Sequence, residues 1–222
     1  MTTRDDISLT QAIRAMLPQG VGLALCDIDA PHPPLWQGEE EAIRRAIPAR
    51  VREFTAGRAA ARLAMADAGL PPGLVMTAQG RAPEWPAGLS GSITHTARVA
   101  AAIVARRQDW PGVGLDLEDA RPMDHDTADL IRHPMDQVDP SLPAALAATL
   151  IFSAKEAAFK AQFPLTGLWI DYREVALRVA GDGFSVNVRG VPLTGRWRLA
   201  QGLFGATVLI GPDQAVALRR AG

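Results

Sequence analysis

Cysteine occurs once in this chain, at Cys26, so no disulfide can form within it; a reducing, cytoplasmic setting is the expectation. Lysine is almost as scarce. Only Lys155 and Lys160 carry an ammonium, and the rest of the 23 basic residues are arginines. Neither sign of charge dominates, since 24 acids leave a net charge of −1 and a pI near 6.4. That balance argues against a protein that coats nucleic acid or lies on a membrane through a polybasic face. Long apolar runs are missing as well: the longest uncharged one, 142–154, is too short to cross a bilayer and contains Pro143. Asp5 and Asp6 stand where a secretory leader would be basic, so no targeting segment is expected. The chain has no internal repeat, P-loop motif, dinucleotide G-x-G-x-x-G, C-x-x-C or G-x-S-x-G. P-loop ATP hydrolysis, Rossmann redox chemistry, zinc binding and the α/β-hydrolase elbow are therefore unsupported. His32, His125 and His133 lack metal-ligand spacing.

What is present can build a core. Apolar residues make up 48% of 222 positions, enough for one large domain or two small ones. Leu9, Ile13, Met16 and Leu17 recur at helical spacing, which predicts a helix over 8–17 ended by Pro18. A short buried strand is expected at 21–28 and a helix at 36–47, with Glu39, Glu40 and Glu41 in its first turns and Pro48 as its breaker. The Ala- and Arg-rich stretch 49–68 predicts a long helix ending at Gly69. A proline- and glycine-rich loop at 70–89 leads to strands at 90–94, 99–105 and 113–118, and a polar loop or short irregular helix at 121–140 to a second long helix at 142–163. Thereafter the period falls to two, predicting strands at 175–179, 184–188, 197–200, 206–210 and 215–218. Strand, long helix, then more strands occur twice. Leu25-Cys-Asp-Ile-Asp29 faintly echoes Gly114-Leu-Asp-Leu-Glu118, 89 positions later. The expectation is an α+β fold of two similar α/β subdomains, 1–110 and 111–222, in one pseudo-dimeric chain.

Several residues could carry chemistry. Asp116 and Glu118 flank Leu117 on a predicted strand, where i and i+2 share a face with Cα atoms roughly 6.5–7 Å apart. Two carboxylates so placed can converge on a hard divalent ion such as Mg²⁺, or simply face solvent. Phe152-Ser-Ala-Lys-Glu-Ala-Ala-Phe-Lys160 holds both lysines, and Glu156 and Lys160 sit at i,i+4. A solvated helix pair would explain that spacing; a third carboxylate completing a metal site would explain it too. His95, after Gly91-Ser-Ile-Thr94, could bind phosphate or satisfy a core carbonyl. Arg50, Arg58 and Arg62 cluster loosely on one side of the first long helix, and Arg81 sits in an otherwise apolar turn. Guanidinium suits bidentate phosphate contacts.

In their order, Arg50-x-x-Glu53-Phe54-x-x-Gly57-Arg58-x-x-x-Arg62, Trp85-Pro-Ala-Gly88, Gly91-Ser-Ile-Thr-His95, Gly114-Leu-Asp-Leu-Glu118 and Phe152–Lys160 resemble the 4′-phosphopantetheinyl transferases, in particular the group with the enterobactin synthase component. The resemblance covers about residues 40 to 165. It implies two similar halves with coenzyme A between them, and transfer of 4′-phosphopantetheine from coenzyme A to a serine of an acyl, peptidyl or aryl carrier protein, releasing adenosine 3′,5′-bisphosphate. It further implies Mg²⁺ on Asp116, Glu118 and Glu156. Coenzyme A contacts would come from Arg50, Arg58, Arg81, Thr94, His95, Lys155 and Lys160, and catalysis from Glu156, Asp116 and Lys160. Phe152 stands where many members carry Trp, and Thr96 where Cys or Ser is frequent. An acidic carrier is expected to meet an arginine-bearing face, with Arg44-Arg45 and Arg106-Arg107 as candidates, and the chain to act as a monomer. Two other readings stay open: a different Mg²⁺-dependent phosphoester enzyme, and a non-catalytic α+β binding protein.

Overall fold

The computed structural model describes residues 7–78 and 82–221. Two antiparallel sheets carry the chain, each with a long alanine-rich helix on one face. In the first sheet β1 (Gly22–Asp27), β5 (Val99–Arg106) and β4 (Leu89–His95) lie in that order, under α2 (Pro48–Asp67). In the second the order is β6 (Gly112–Asp119), β10 (Leu203–Ile210), β9 (Val191–Ala200), β8 (Gly183–Val188) and β7 (Leu177–Ala180), under α4 (Ala147–Thr166). This is the expected α+β architecture.

The same small-residue device seats both helices. A Cβ on Gly22 would lie 1.9 Å from the Ala64 carbonyl of α2, and one on Gly114 would lie 1.9 Å from the Ala157 carbonyl of α4. Ala56, Ala60, Ala61 and Ala64 of α2, and Ala154, Ala157 and Ala161 of α4, are fully buried. Small side chains on the helix and none on the strand let the backbones touch. Gly114 lies 92 positions after Gly22, so the packing equivalence is not the 89-residue echo read from the sequence. Ala24 and Cys26 occupy the places of Asp116 and Glu118. The first half has no counterpart of the acid pair.

Alternation along β6 then separates two functions. Val113, Leu115 and Leu117 face a core shared by both halves, with Leu23, Ile103 and Ile13. Gly112, Gly114, Asp116 and Glu118 take the opposite face, toward α4. The helix α1 (Leu9–Arg14), capped by Ser8, completes that shared core, and the Leu9 N–H donates to Gln201 Oε1 beside β9 at 3.3 Å.

Three expectations are corrected. The helix over 36–47 shrinks to a single 3₁₀ turn, Glu39–Ile43. Glu39 is drawn inside, where its carboxylate accepts from Arg62 at 3.0 Å and from the backbone N–H groups of Trp36 and Val75. Pro48 does not break a helix but opens α2 at its first position, where a missing N–H costs nothing. Residues 215–218 are not a strand: they lie in α5 (Pro212–Ala221), which buries Ala215 and Leu218, three apart. Pro212, Asp213 and the closing Arg219 and Arg220 are helix start and stop signals that the short alternation concealed. The 70–89 stretch holds an antiparallel pair of two-residue strands, β2 (Met76–Thr77) with β3 (Pro83–Glu84), and 121–140 holds α3 (His125–Ile131). Among the described residues no helix is long and apolar enough to cross a membrane.

Candidate active site

The two halves meet where β4 runs beside β6, and hydroxyls on alternate residues of β4 join them. The Leu115 N–H donates to Ser92 Oγ at 3.0 Å and the Leu117 N–H to Thr94 Oγ1 at 3.3 Å. The Ser90 hydroxyl donates to the Trp110 carbonyl at 2.5 Å. Thr94 in turn donates to Asp116 Oδ1 at 3.2 Å. Ser-x-Ser-x-Thr is thus a one-faced seam, a period-two pattern present in the sequence and not singled out above.

A cleft of about 300 Å³ opens at the end of this seam. The first half contributes Arg50, Arg58, Thr94 and His95; the second contributes Asp116, Glu118, Glu156 and Lys160. Arg50 Nη1 donates to His95 Nε2 at 2.8 Å, with the Glu53 carboxylate 3.3 Å from the guanidinium. A guanidinium has no acceptor, so Nε2 is the bare nitrogen of the imidazole. The imidazole proton is then on Nδ1, and Arg50 keeps N–H groups beyond this bond. Arg58 is buried and largely committed: Nε donates to the Val75 carbonyl at 2.8 Å, Nη2 to Thr77 at 3.0 Å, and the guanidinium lies 4.1 Å from the centre of the Phe54 ring. Burial lowers its pKa to about 10, against the pull of Glu39, so it stays charged at neutral pH.

On the other wall, Lys160 Nζ stands 2.6 Å from Asp116 Oδ1 and 3.8 Å from Glu156 Oε2. The close seat of α4 on Gly114 brings these three together. Burial would depress the ammonium, but Asp116 and Glu156 outweigh it and hold its pKa above the usual lysine value. Glu118 is pushed up to about 7, first by burial and then by the charge of Asp116. Three carboxylates against one ammonium leave negative charge uncompensated.

Asp116 is 3% exposed, and its Oδ2 is buried with no hydrogen-bond partner among the described residues. An orphaned carboxylate oxygen beside a carboxylate that resists ionising is the donor chemistry a divalent cation relieves. The residues fit such an ion. As they stand, no three acidic, Cys or His side chains among the described residues form an ion-holding group. The Lys160 ammonium lies between Asp116 and Glu156, and Glu156 Oε1 accepts a hydrogen bond from the Tyr172 hydroxyl.

Of the residues expected to act together, Asp116, Glu118, Glu156, Lys160, Arg50, Arg58, Thr94 and His95 share this cleft, and Arg81 lies outside the described residues. Lys155 does not join them. Its side chain is 3% exposed and faces inward, donating to the Ile131 and Tyr172 carbonyls at 3.0 and 2.8 Å and to Asp136 at 2.8 Å. All three protons of the ammonium are spent, and one helical position turns a side chain by about 100° from its neighbour. Arg62 is likewise structural, buried on Glu39. A second, apolar cavity lies beyond Glu156, between Phe159, Trp169, Tyr172 and Val186.

Fold and site together define a class: an α+β protein of two halves, with a mixed-charge cleft assembled from both. Two family models match the chain, the 4′-phosphopantetheinyl transferase N-terminal domain over residues 38–105 and the 4′-phosphopantetheinyl transferase superfamily over residues 112–217. Similar proteins include 4′-phosphopantetheinyl transferase Svp of Streptomyces mobaraensis, 33% identical over 92% of this chain and 92% of its own. 4′-Phosphopantetheinyl transferase PptT of Mycobacterium tuberculosis is 33% identical over 86% of this chain and 94% of its own. Enterobactin synthase component D of Salmonella typhi is 36% identical over 64% of this chain and 62% of its own. The chain belongs to the 4′-phosphopantetheinyl transferase superfamily.

Proposed function

We propose that the protein moves 4′-phosphopantetheine from coenzyme A to a serine of an apo carrier protein, with a divalent ion, Mg²⁺, at the acid cluster. The observation that supports this most is the cleft itself, where an arginine–histidine pair on one half faces three carboxylates and a lysine on the other. Arg50 and His95 can grip the 3′-phosphate of coenzyme A, and Arg58 contributes fixed positive charge behind them. Asp116, Glu118 and Glu156 would hold the ion. Bound there, it would neutralise oxygens of the diphosphate and the charge developing on the leaving group.

The serine Oγ bonds to the phosphorus on the pantetheine side, the bond from that phosphorus to the bridging oxygen breaks, and adenosine 3′,5′-bisphosphate leaves. Glu156 keeps Oε2 free of Tyr172 and is the group we assign to take the serine proton. Lys160, held protonated by its two carboxylates, acts as a fixed charge on the leaving phosphate. The apolar cavity beyond Glu156 offers a path for the pantetheine arm. Of the two arginine pairs considered for carrier contact, Arg44-Arg45 borders a groove that shares Arg50 and Phe54 with the cleft. Arg106 pairs with Leu89, at the end of β4 opposite His95 and roughly 20 Å away. The acidic carrier therefore belongs on the first.

Incubation with coenzyme A, Mg²⁺ and a panel of apo carriers tests the proposal. The expected result is a mass gain of one phosphopantetheine on a carrier and stoichiometric adenosine 3′,5′-bisphosphate. No gain on any fatty-acid, polyketide or siderophore carrier would count against it.

Ion binding should also report on Glu118. Its pKa in the folded protein, about 7, exceeds the ordinary 4.5. Its contribution to ion-free stability is therefore full below the ordinary value and lost as pH rises through about 7. An ion must displace that proton, so Mg²⁺ affinity should climb from pH 6 to 8, by up to about tenfold per unit below the pKa. Calorimetric Mg²⁺ titration at pH 6, 7 and 8 measures this; a flat affinity would remove Glu118 from the ligand set.

A further inference from the structure

Tyr172 is the chain's single tyrosine, and two consecutive residues of α4 hold it at its two ends. Lys155 Nζ donates to the Tyr172 carbonyl at 2.8 Å, while the Tyr172 hydroxyl donates to Glu156 Oε1. Between those ends the ring packs on Phe152, with centroids 5.5 Å apart. The residue sits on a 3₁₀ turn, Tyr172–Glu174, whose start is fixed by Asp171: its carboxylate accepts from the Arg173 N–H at 2.9 Å, and Glu174 reaches back to the Asp171 N–H. Lys155 ties the same turn to the end of α3 and, through Asp136, to the Leu177 N–H at the start of β7. The turn cannot drift from α4 without breaking the charge-assisted hydrogen bond from the Lys155 ammonium to the Tyr172 carbonyl.

We infer that Tyr172 is a positioning residue for the transfer: its hydroxyl fixes the Glu156 carboxylate in the orientation that faces the cleft, and Lys155 supplies the anchor from which it does so. This rests on the reading of Glu156 as an ion ligand and base. Glu156 projects from a helix into the wall between two cavities, the charged cleft and the apolar one. A glutamate has three rotatable side-chain bonds, so without a second tether its carboxylate samples both sides. One hydroxyl bonded to Oε1 removes that freedom and leaves Oε2 toward Lys160. Carboxylates that bind metals are commonly held by such outer partners, whose loss weakens ion affinity or activity about 10- to 100-fold. The assignment also accounts for Lys155, an ammonium that the cleft does not use.

Removing Lys155 would strand buried Asp136 and risk unfolding, so the test uses Tyr172→Phe, which keeps the ring and deletes only the hydroxyl. The full-length variant is compared with wild type and with Glu156→Gln by thermal melting, by calorimetric titration with Mg²⁺ alone, and by steady-state transfer. For Tyr172→Phe we expect a melting temperature close to wild type, Mg²⁺ affinity about tenfold weaker, and kcat reduced by a similar factor with KM for coenzyme A unchanged. A merely structural tyrosine would move the melting temperature and leave the kcat-to-KM pattern alone. If Glu156→Gln loses Mg²⁺ and Tyr172→Phe binds it and turns over like wild type, the positioning role is wrong and the Glu156 reading stands. If neither variant loses Mg²⁺, the Glu156 reading falls and the inference with it.

Discussion

Asp116→Ala is expected to cut phosphopantetheine transfer by about a thousandfold, the scale of losing a preorganised charge at a reacting phosphate, while the protein still folds. Asp116 is the one carboxylate of the cluster that is almost wholly buried, and it makes contacts across the seam, accepting from Thr94 of one half and Lys160 of the other. Its second oxygen has no partner among the described residues. Deleting it removes the most committed of the three candidate ion ligands. Folding survives because Lys160 keeps Glu156 at 3.8 Å and because Glu118 is relieved of the like charge that acts on it most strongly. Melting curves with and without Mg²⁺ separate the effects: the ion-free melting temperature should move by only a few degrees, and the shift produced by Mg²⁺ should vanish. Asp27→Ala serves as the control. Asp27 is exposed at the end of β1, two strands from β4, and its loss should leave transfer untouched. Wild-type transfer by Asp116→Ala would move the metal and the chemistry elsewhere.

Gly114→Ala should do the opposite, costing stability first. The added methyl would meet the Ala157 carbonyl at 1.9 Å, and the obstacle is helix backbone rather than a side chain that could swing away. Overpacking of this kind costs about 3 kcal/mol. For a chain of this size that is a fall of roughly 6–12 °C in melting temperature. Any variant that does fold must lift α4 off β6, drawing Glu156 and Lys160 away from Asp116, so transfer should fall as well. Gly183→Ala is the matched control. Its added methyl would meet only ordinary contacts, at 3.6 and 3.7 Å, and it should melt within about 2 °C of wild type. Differential scanning calorimetry of the pair decides the point; equal melting temperatures would mean that the helix is not seated as described.

Much of the architecture could be read from pattern alone because it is local. The α2 helix needed only its alanines and Gly69 after its end, although Pro48, read as the breaker of a preceding helix, proved to be its first residue, and the strand of Asp116 and Glu118 needed only its alternation. The short helix α5 failed for the same reason in reverse: four residues, Ala215 to Leu218, fit either period, and only burial of positions three apart chose the helix. Glu39 shows a second limit. Three glutamates in a row suit a helix start, but the chain spends the first of them on a buried partner, Arg62, that lies 23 positions away.

The site divides along the same line. Residue types and spacing raised Asp116, Glu118, Glu156, Lys160, Arg50 and His95 as candidates, because the chemistry of phosphate and of hard cations restricts which side chains can serve. Each also had a structural explanation, and the ordered motifs' resemblance to a family was what implied their roles. Tertiary structure alone could separate Lys155 from Lys160. Both are lysines on one helix five positions apart, yet the first is enclosed by carbonyls and Asp136 while the second reaches the cleft. It also brought in Tyr172, whose value lies in where its hydroxyl ends rather than in any motif. Sequence determined the inventory of charges and the periodicities that make strands and helices, since both follow from neighbours along the chain. Which charges face one another was decided by the approach of α4 to β6 over bare glycine backbone, a distance set by packing between segments more than forty residues apart.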